Sequence, residues 1–260
     1  MAAGDLDPAT PPAPAPGDVV AAPDFVGVGV QKAGTTWWYD TIAAHHAVHG
    51  PARRPKELHF FDRFWGEPFG ADDIVAYRRW FARPAGQLAG EWTPRYLHDW
   101  WVPPMLAAAA PATRVLVLLR DPVERYLSGV AHELSSRGRS DPAIPGDALR
   151  RSCYAAQLER LLAAFPADQV LVQQFERCVD QPRLERSRAW DFLGLEPDLA
   201  APVPAATNVT SGLRPEMSGA VLEALERELS ADLHRLVRMQ FDIDPARWPS
   251  AERLLGEGSG

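Results

Sequence analysis

Lys32, Gly34, Thr35 and Thr36 concentrate more anion-binding chemistry than any other stretch of this chain. They follow Phe25–Val30, an apolar run that reads as a buried strand, and a helix is expected to begin at Thr35/Thr36. A strand, a glycine-containing turn and a fresh helix start together make a phosphate site. The helix start leaves backbone N–H groups unpaired, and the aligned peptide dipoles favour negative charge there. Gly34 removes the side chain that would block the anion, Lys32 adds a mobile point charge, and the threonines add hydroxyl donors. The order of residues excludes two familiar nucleotide loops. Gly29 and Gly34 have the spacing of an ATP or GTP P-loop, but Thr35 stands where that loop needs its lysine. Lys32 occupies the third glycine position of the dinucleotide fingerprint. This is a phosphate loop of another kind.

The elements that must hold it follow from periodicity. Strands are expected at Phe25–Val30, Arg114–Leu119 and Val170–Phe175, with shorter ones near Leu58–Phe60 and Gln87–Glu91. Helices are expected at Thr36–His45, Asp73–Ala82, Pro122–Leu134, Ala148–Ala164, Pro182–Leu193 and Glu216–Gln240. Asp121 is placed to cap the third of these, with Pro122 at its first position. Strands separated by helices imply a single α/β domain with a central parallel β-sheet flanked by helices. Ligands of such sheets bind beyond the carboxyl ends of the strands, where Lys32 and Arg120 both fall. Arg120 suits an anion there, because its planar fork can donate two parallel hydrogen bonds.

Four stretches, in order, carry a resemblance. Lys32 two residues before Gly34-Thr35-Thr36, with Trp37-Trp38 behind, resembles the 5′-phosphosulfate loop of sulfotransferases that use 3′-phosphoadenosine 5′-phosphosulfate (PAPS). Pro55-Lys56-Glu57-Leu58-His59-Phe60-Phe61-Asp62 is similar to the acceptor-side segment of the branch that includes heparan sulfate sulfotransferases and bacterial relatives. Gly90-Glu91-Trp92-Thr93-Pro94-Arg95-Tyr96 is similar to that branch's Gly-Glu-x-(Ser/Thr)-Pro-x-Tyr segment, and Arg114–Ser128 to its 3′-phosphate-binding strand and helix. The resemblance covers roughly residues 24–248 and implies the P-loop-like PAPS sulfotransferase fold, with PAPS as donor, its product PAP, and no metal.

It also implies roles. Lys32, Ala33, Gly34, Thr35, Thr36 and Trp37 would hold the 5′-phosphosulfate end of the donor, with Lys32 neutralising the leaving group. Arg120 and Ser128 would bind the 3′-phosphate, and Thr210–Pro215 resembles a loop over the donor, with contacts from Gly212 and Arg214. Glu57 would be the general base and His59 the alternative base. Lys56, Glu57, His59, Asp62 and Trp92 would line the acceptor cleft. Many members of the branch have lysine where this chain has Trp92, so a positive charge near the acceptor is missing. Trp37, Trp38, Trp65 and Trp92 lie in or near these motifs, and flat aromatic surfaces suit stacking on sugar faces or apolar rings. The expected acceptor is therefore an uncharged or weakly charged small molecule or glycan bearing a hydroxyl, with an amine second. A P-loop-type nucleotide kinase and a non-catalytic nucleotide-binding protein are the alternatives.

Composition agrees with an enzyme of this size. The chain has 260 residues and a formal charge of −7, which argues against a nucleic acid partner, since that work needs a basic face. No apolar run reaches the ~20 residues of a membrane helix. Residues 1–23, rich in Ala and Pro, read as a disordered leader without signal-peptide features, residues 24–250 as the domain, and 251–260 as a flexible tail. Cys153 and Cys178 have neither disulfide nor metal spacing and fit a reduced, cytoplasmic protein. His45 and His49 are four apart, but the Gly50-Pro51 that follows ends the helix a metal pair would need. Ala, Arg and Pro bias points to a GC-rich bacterial source.

Overall fold

The structure is a computed structural model that describes residues 8, 10–49, 56–137, 141, 143–205 and 215–256. Its centre is a four-stranded parallel sheet of β1 (Phe25–Gly29), β2 (Gly90–Trp92), β3 (Arg114–Leu119) and β4 (Val170–Gln174), in the order β2-β1-β3-β4. Every residue of β1 and β2 is buried, as continuous burial under helices on both faces requires. The chain leaves β1 to one side for β2 and returns on the other for β3. That reversal puts a crevice between the carboxyl ends of β1 and β3.

Two glycines inside β1 explain how the strand packs. A Cβ on Gly27 would lie 1.9 Å from the Trp92 ring, and one on Gly29 would lie 2.7 Å from Leu97. The segment after β2 thus crosses directly over β1, tied by Thr93 N–H to Gly27 O (2.9 Å) and Leu97 N–H to Val28 O (2.7 Å). Trp92 becomes core, its Nε1 donating to Gly29 O at 3.2 Å.

The helices are α1 (Thr35–Ala43), α2 (Ala71–Arg79), α3 (Val102–Ala109), α4 (Pro122–Arg137), α5 (Ala143–Ser152), α6 (Ala155–Ala164), α7 (Phe175–Asp180), α8 (Pro182–Phe192), α9 (Gly219–Arg238) and α10 (Ala251–Gly256). Asp121 Oδ1 accepts from Val123 N–H and Glu124 N–H and so caps α4. The single helix expected at Ala148–Ala164 is two. Asp232, reaching in from α9, accepts from Tyr154 N–H and Ala155 N–H and so caps a fresh helix there. The strand expected near Leu58–Phe60 does not form, since those amides bond to side chains instead.

Both ends of the domain are more ordered than composition implies. Val19 pairs antiparallel with Arg83, and Trp80 Nε1 donates to Pro8 O at 2.9 Å, so part of the Ala/Pro-rich leader is docked. At the other end α10 packs against α9 with Leu254 fully buried, which replaces the expected flexible tail over residues 251–256. Among the described residues no helix is long and apolar enough to cross a membrane.

Candidate active site

The loop leaving β1 turns by placing Lys32 (φ 70°) and Gly34 (φ 77°) in the left-handed region. For Gly34 a side chain is excluded twice over, because an added Cβ would also stand 2.6 Å from the Phe175 ring. Gly34 then heads α1 with no side-chain cap, so the first N–H groups of the helix face outward. Two arginines, one at the β3–α4 junction and one in the first turn of α4, hold the loop's carbonyls. Arg120 Nη1 donates to Lys32 O at 2.9 Å, and Arg125 Nε to Gln31 O at 3.1 Å. With the loop's carbonyls taken by cations, the N–H groups at the start of α1 are left for an anion.

The loop and both arginines line a cleft of about 400 Å³. The structure brings Lys32, Gly34, Thr35, Thr36, Trp37, Glu57, Arg120 and Ser128 into its wall. Ala33 lies fully buried beneath, contributing backbone alone. Burial, with help from neighbouring Arg125, lowers the Lys32 pKa. Trp37 meets Phe175 edge-on at 6.3 Å and donates through Nε1 to Pro204 O at 2.8 Å. Gly212 and Arg214, expected over the donor, lie outside the described residues.

The acceptor-side segment meets the loop through Lys56, whose Nζ donates to Thr35 Oγ1 (3.3 Å) and Glu57 Oε1 (3.0 Å). Behind Glu57 runs a chain of paired groups. His59 Nε2 faces Glu57 Oε2 at 3.1 Å and His59 Nδ1 faces Asp62 Oδ2 at 2.9 Å; Arg95 Nε lies 3.9 Å from Asp62. The hydrogen bond to Asp62, then that to Glu57, raises the His59 pKa to about 9. Burial pushes Glu57 the other way from its partners, but the His59 hydrogen bond and the Lys56 charge prevail and hold it at about 2. At neutral pH the segment therefore holds a carboxylate at Glu57 and an imidazolium at His59.

Its geometry depends on residues that sequence reasoning did not assign. Leu58 N–H donates to Glu91 Oε2 (3.4 Å), His59 N–H to Thr93 Oγ1 (3.4 Å) and Phe60 N–H to Tyr96 Oη (2.8 Å). Glu91 also accepts from Thr93 Oγ1 at 2.6 Å and Tyr77 Oη at 2.8 Å. Burial raises its pKa to about 7, against those hydrogen bonds. This suspension holds His59 at φ 53°, a left-handed conformation that non-glycine residues adopt at a cost. The signal was available: Glu91, Thr93 and Tyr96 are the fixed positions of the Gly-Glu-x-Thr-Pro-x-Tyr segment.

The aromatic expectations change. Trp92 and Trp38 are fully buried, Trp38 donating to Gln173 Oε1 at 2.9 Å, so neither can stack on an acceptor. The reason is the glycine-lined β1, which draws the Trp92 ring across its face. Trp65 does stand exposed. Nor do His45 and His49 converge. His45 Nδ1 accepts from Ala47 N–H, so its Nε2 is the protonated nitrogen that donates to Glu196 O; no ring lone pair remains for a metal shared with nearby His46 and Asp198.

Comparison with known proteins accords with this geometry. Residues 22–208 match the sulfotransferase domain family, and the chain belongs to that family. Human heparan sulfate glucosamine 3-O-sulfotransferase 3B1 is 31% identical over 193 residues, covering 67% of this chain and 46% of the relative. Human heparan sulfate glucosamine 3-O-sulfotransferase 6 is likewise 31% identical over 192 residues, covering 67% and 53%. The chain thus spans about half the length of the curated relatives it matches. Among solved structures, a sulfotransferase from Alicyclobacillus acidocaldarius superposes with TM-score 0.67 at 25% identity, covering 88% of this chain and 99% of that one. A sulfotransferase domain from the curacin biosynthetic pathway shares the fold alone, with TM-score 0.54 at 12% identity, covering 92% and 98%.

Proposed function

We propose that this chain transfers a sulfuryl group from PAPS to a hydroxyl of a small-molecule or glycan acceptor. The observation that carries the reading is the meeting of Lys32 and Glu57 in one cleft, with Lys56 bridging Thr35 and Glu57. The residues fit the donor. An anion nest with a half-buried lysine suits the phosphosulfate, Arg120 and Ser128 suit the 3′-phosphate, and Trp37 with Phe175 offers aromatic edges to the base. When bound, the donor supplies an activated sulfuryl group whose transfer leaves negative charge on the oxygen bridging to the 5′-phosphate. Lys32 Nζ stabilises that charge, and the loop amides hold the phosphate in line.

Glu57 takes the proton from the acceptor hydroxyl. It is ionised at neutral pH, whereas His59 already carries a proton below about pH 9 and is the weaker candidate. His59 and Asp62 then serve to orient the carboxylate. The acceptor is uncharged or weakly charged: Lys56, Glu57, His59, Asp62, Arg95 and Asp99 form a chain of mutual pairs, so the positive charge of this segment is spent on its own carboxylates. Two unpaired cysteines support a cytoplasmic setting.

Thermal stabilisation tests the donor. Adenosine 3′,5′-bisphosphate without Mg²⁺ should raise the melting temperature, and ATP with Mg²⁺ should not; the opposite outcome selects a kinase-like protein. A screen of acceptors with labelled PAPS tests the transfer, and turnover on highly sulfated oligosaccharides that falls steeply with salt would overturn the acceptor class.

A further inference from the structure

The helix that follows Arg120 brings a second arginine to the cleft, and its bonding is unusual. Arg125 is 2% exposed. Its Nε donates to Gln31 O at 3.1 Å, and its Nη1 to Ala148 O at 2.6 Å and Ser152 Oγ at 3.0 Å. All three acceptors are neutral. Among the described residues no carboxylate pairs with it, and Nη2 has no hydrogen-bond partner. A buried cation without a counter-ion is costly and needs a reason. Burial first, then the like charges of Arg151 and Arg120, pull the guanidinium down to about 10, against the opposing influence of Tyr154 and Asp147.

Gly129, one turn further along α4, explains how the group reaches the cleft. A Cβ there would stand 2.7 Å from Nη2, so glycine leaves the guanidinium room at the wall. Arg120, Arg125, Ser128 and Gly129 line the cleft together. Three features converge on one place: a guanidinium fork, a second guanidinium with an unspent N–H, and a buried hydroxyl.

We infer that Arg125 is a third ligand of the donor's 3′-phosphate, which it binds through Nη2 beside Arg120 and Ser128 and which supplies its missing counter-ion. The inference rests on the cleft being the donor site. It adds a specificity device, because a nucleotide lacking the 3′-phosphate leaves a buried charge uncompensated and should be rejected for that reason. The same side chain holds Gln31 O, next to Lys32, so filling the 3′-phosphate position also steadies the catalytic loop.

Calorimetric binding of two probes, adenosine 3′,5′-bisphosphate and adenosine 5′-monophosphate, isolates the contact without any turnover. Arg125→Gln should lower affinity for the bisphosphate by roughly 10–100-fold, the worth of one charge-assisted hydrogen bond, and lower that for the monophosphate far less, through the Gln31 contact alone. Gly129→Ala, which crowds Nη2 but keeps the charge, should show the same selective loss to a smaller degree and carries the test if Arg125→Gln does not fold. Equal losses for both probes, or none, in the folded variant would overturn the inference and leave Arg125 a scaffold residue. Arg120→Ala separates the two levels. If it too leaves the preference for the 3′-phosphate intact, the donor reading itself fails; if it abolishes the preference while Arg125→Gln and Gly129→Ala keep it, only the role of Arg125 fails.

Discussion

The two ends of the cleft are held by different kinds of bond. At the donor end the loop Gln31–Gly34 hangs between β1 and α1, and its carbonyls are pinned by Arg120 and Arg125. Its working surface is backbone amide, fixed by strand and helix. At the acceptor end the segment Lys56–Phe60 forms no strand, and its backbone tie to the sheet is Lys56 O, which accepts from Trp92 N–H of β2 at 3.2 Å. Its Leu58, His59 and Phe60 amides hang on the side chains of Glu91, Thr93 and Tyr96. A surface made of backbone tolerates side-chain replacement, so donor-end variants should report chemistry. A surface suspended from buried polar side chains does not, and variants of its supports should disturb stability and chemistry together.

The largest effects fall on the residues placed to act on the reacting groups. Glu57→Gln keeps the shape and removes the proposed base. Turnover should fall ~10²–10⁴-fold with bisphosphate binding intact. His59→Ala should cost less; if it proves the more damaging of the two, the roles must be exchanged. Lys32→Ala should lower turnover ~10²–10³-fold, the usual loss of one preorganised charge-stabilising donor, while the melting temperature hardly moves. Near-normal turnover in that folded variant would remove Lys32 from the leaving-group role.

Glu91→Gln probes the other kind of bond. It keeps the volume but sets an amide N–H₂ against donors from Tyr77, Thr93 and Leu58, leaving at least one buried donor unpaired. The cost to stability should be ~1–3 kcal/mol, with kcat reduced and affinity for adenosine 3′,5′-bisphosphate preserved. Denaturant melts and binding on the same samples check both halves. A variant as stable and active as the parent would show that the suspension does not set the catalytic geometry.

The same contrast explains what could be read from the chain beforehand. A backbone anion site needs a glycine at a left-handed position, a lysine beside it and a helix start, all within a few residues, so Lys32–Thr36 was legible as written. Arg114–Leu119 was legible for the same reason: a buried central strand is a continuous apolar run. The acceptor end was legible as motif but not as mechanism. Nothing local in Glu91 says that it holds Leu58, and nothing in Trp92 says that Gly27 opens a gap for its ring. Long-range caps behave likewise: Asp232 splits Ala148–Ala164 into two helices from a place far along the chain. Arg125 is not legible in the sequence, because an arginine in the first turn of an amphipathic helix ordinarily faces solvent. Its burial becomes visible only once Gln31 O, Ala148 O and Gly129 surround it.

The smallest expected effect is a pH dependence, and its sign separates the two ends. His59 is raised from an ordinary 6.5 to about 9 by Asp62 and Glu57, so its pairing contributes stability that is complete below about 6.5 and lost as pH rises through about 9. Glu57 is depressed from 4.5 to about 2, so its contribution is complete above about 4.5 and lost as pH falls through about 2. Glu91 runs against them: raised from 4.5 to about 7 by burial, it costs stability increasingly between those values as the unfolded chain releases a proton that the folded one retains. Both His59 and Glu57 are more than a third exposed, so solvent screening keeps their share small. Subtraction makes the effect measurable. The stability difference between the parent and His59→Gln should be flat from about pH 5 to 6.5 and shrink toward pH 9. Between the parent and Arg120→Ala, a change at the other end of the cleft that removes neither partner of His59, this loss toward pH 9 should be absent. A His59→Gln difference that widens as pH rises would show that His59 is neutral in the folded protein, and would reopen it as the base.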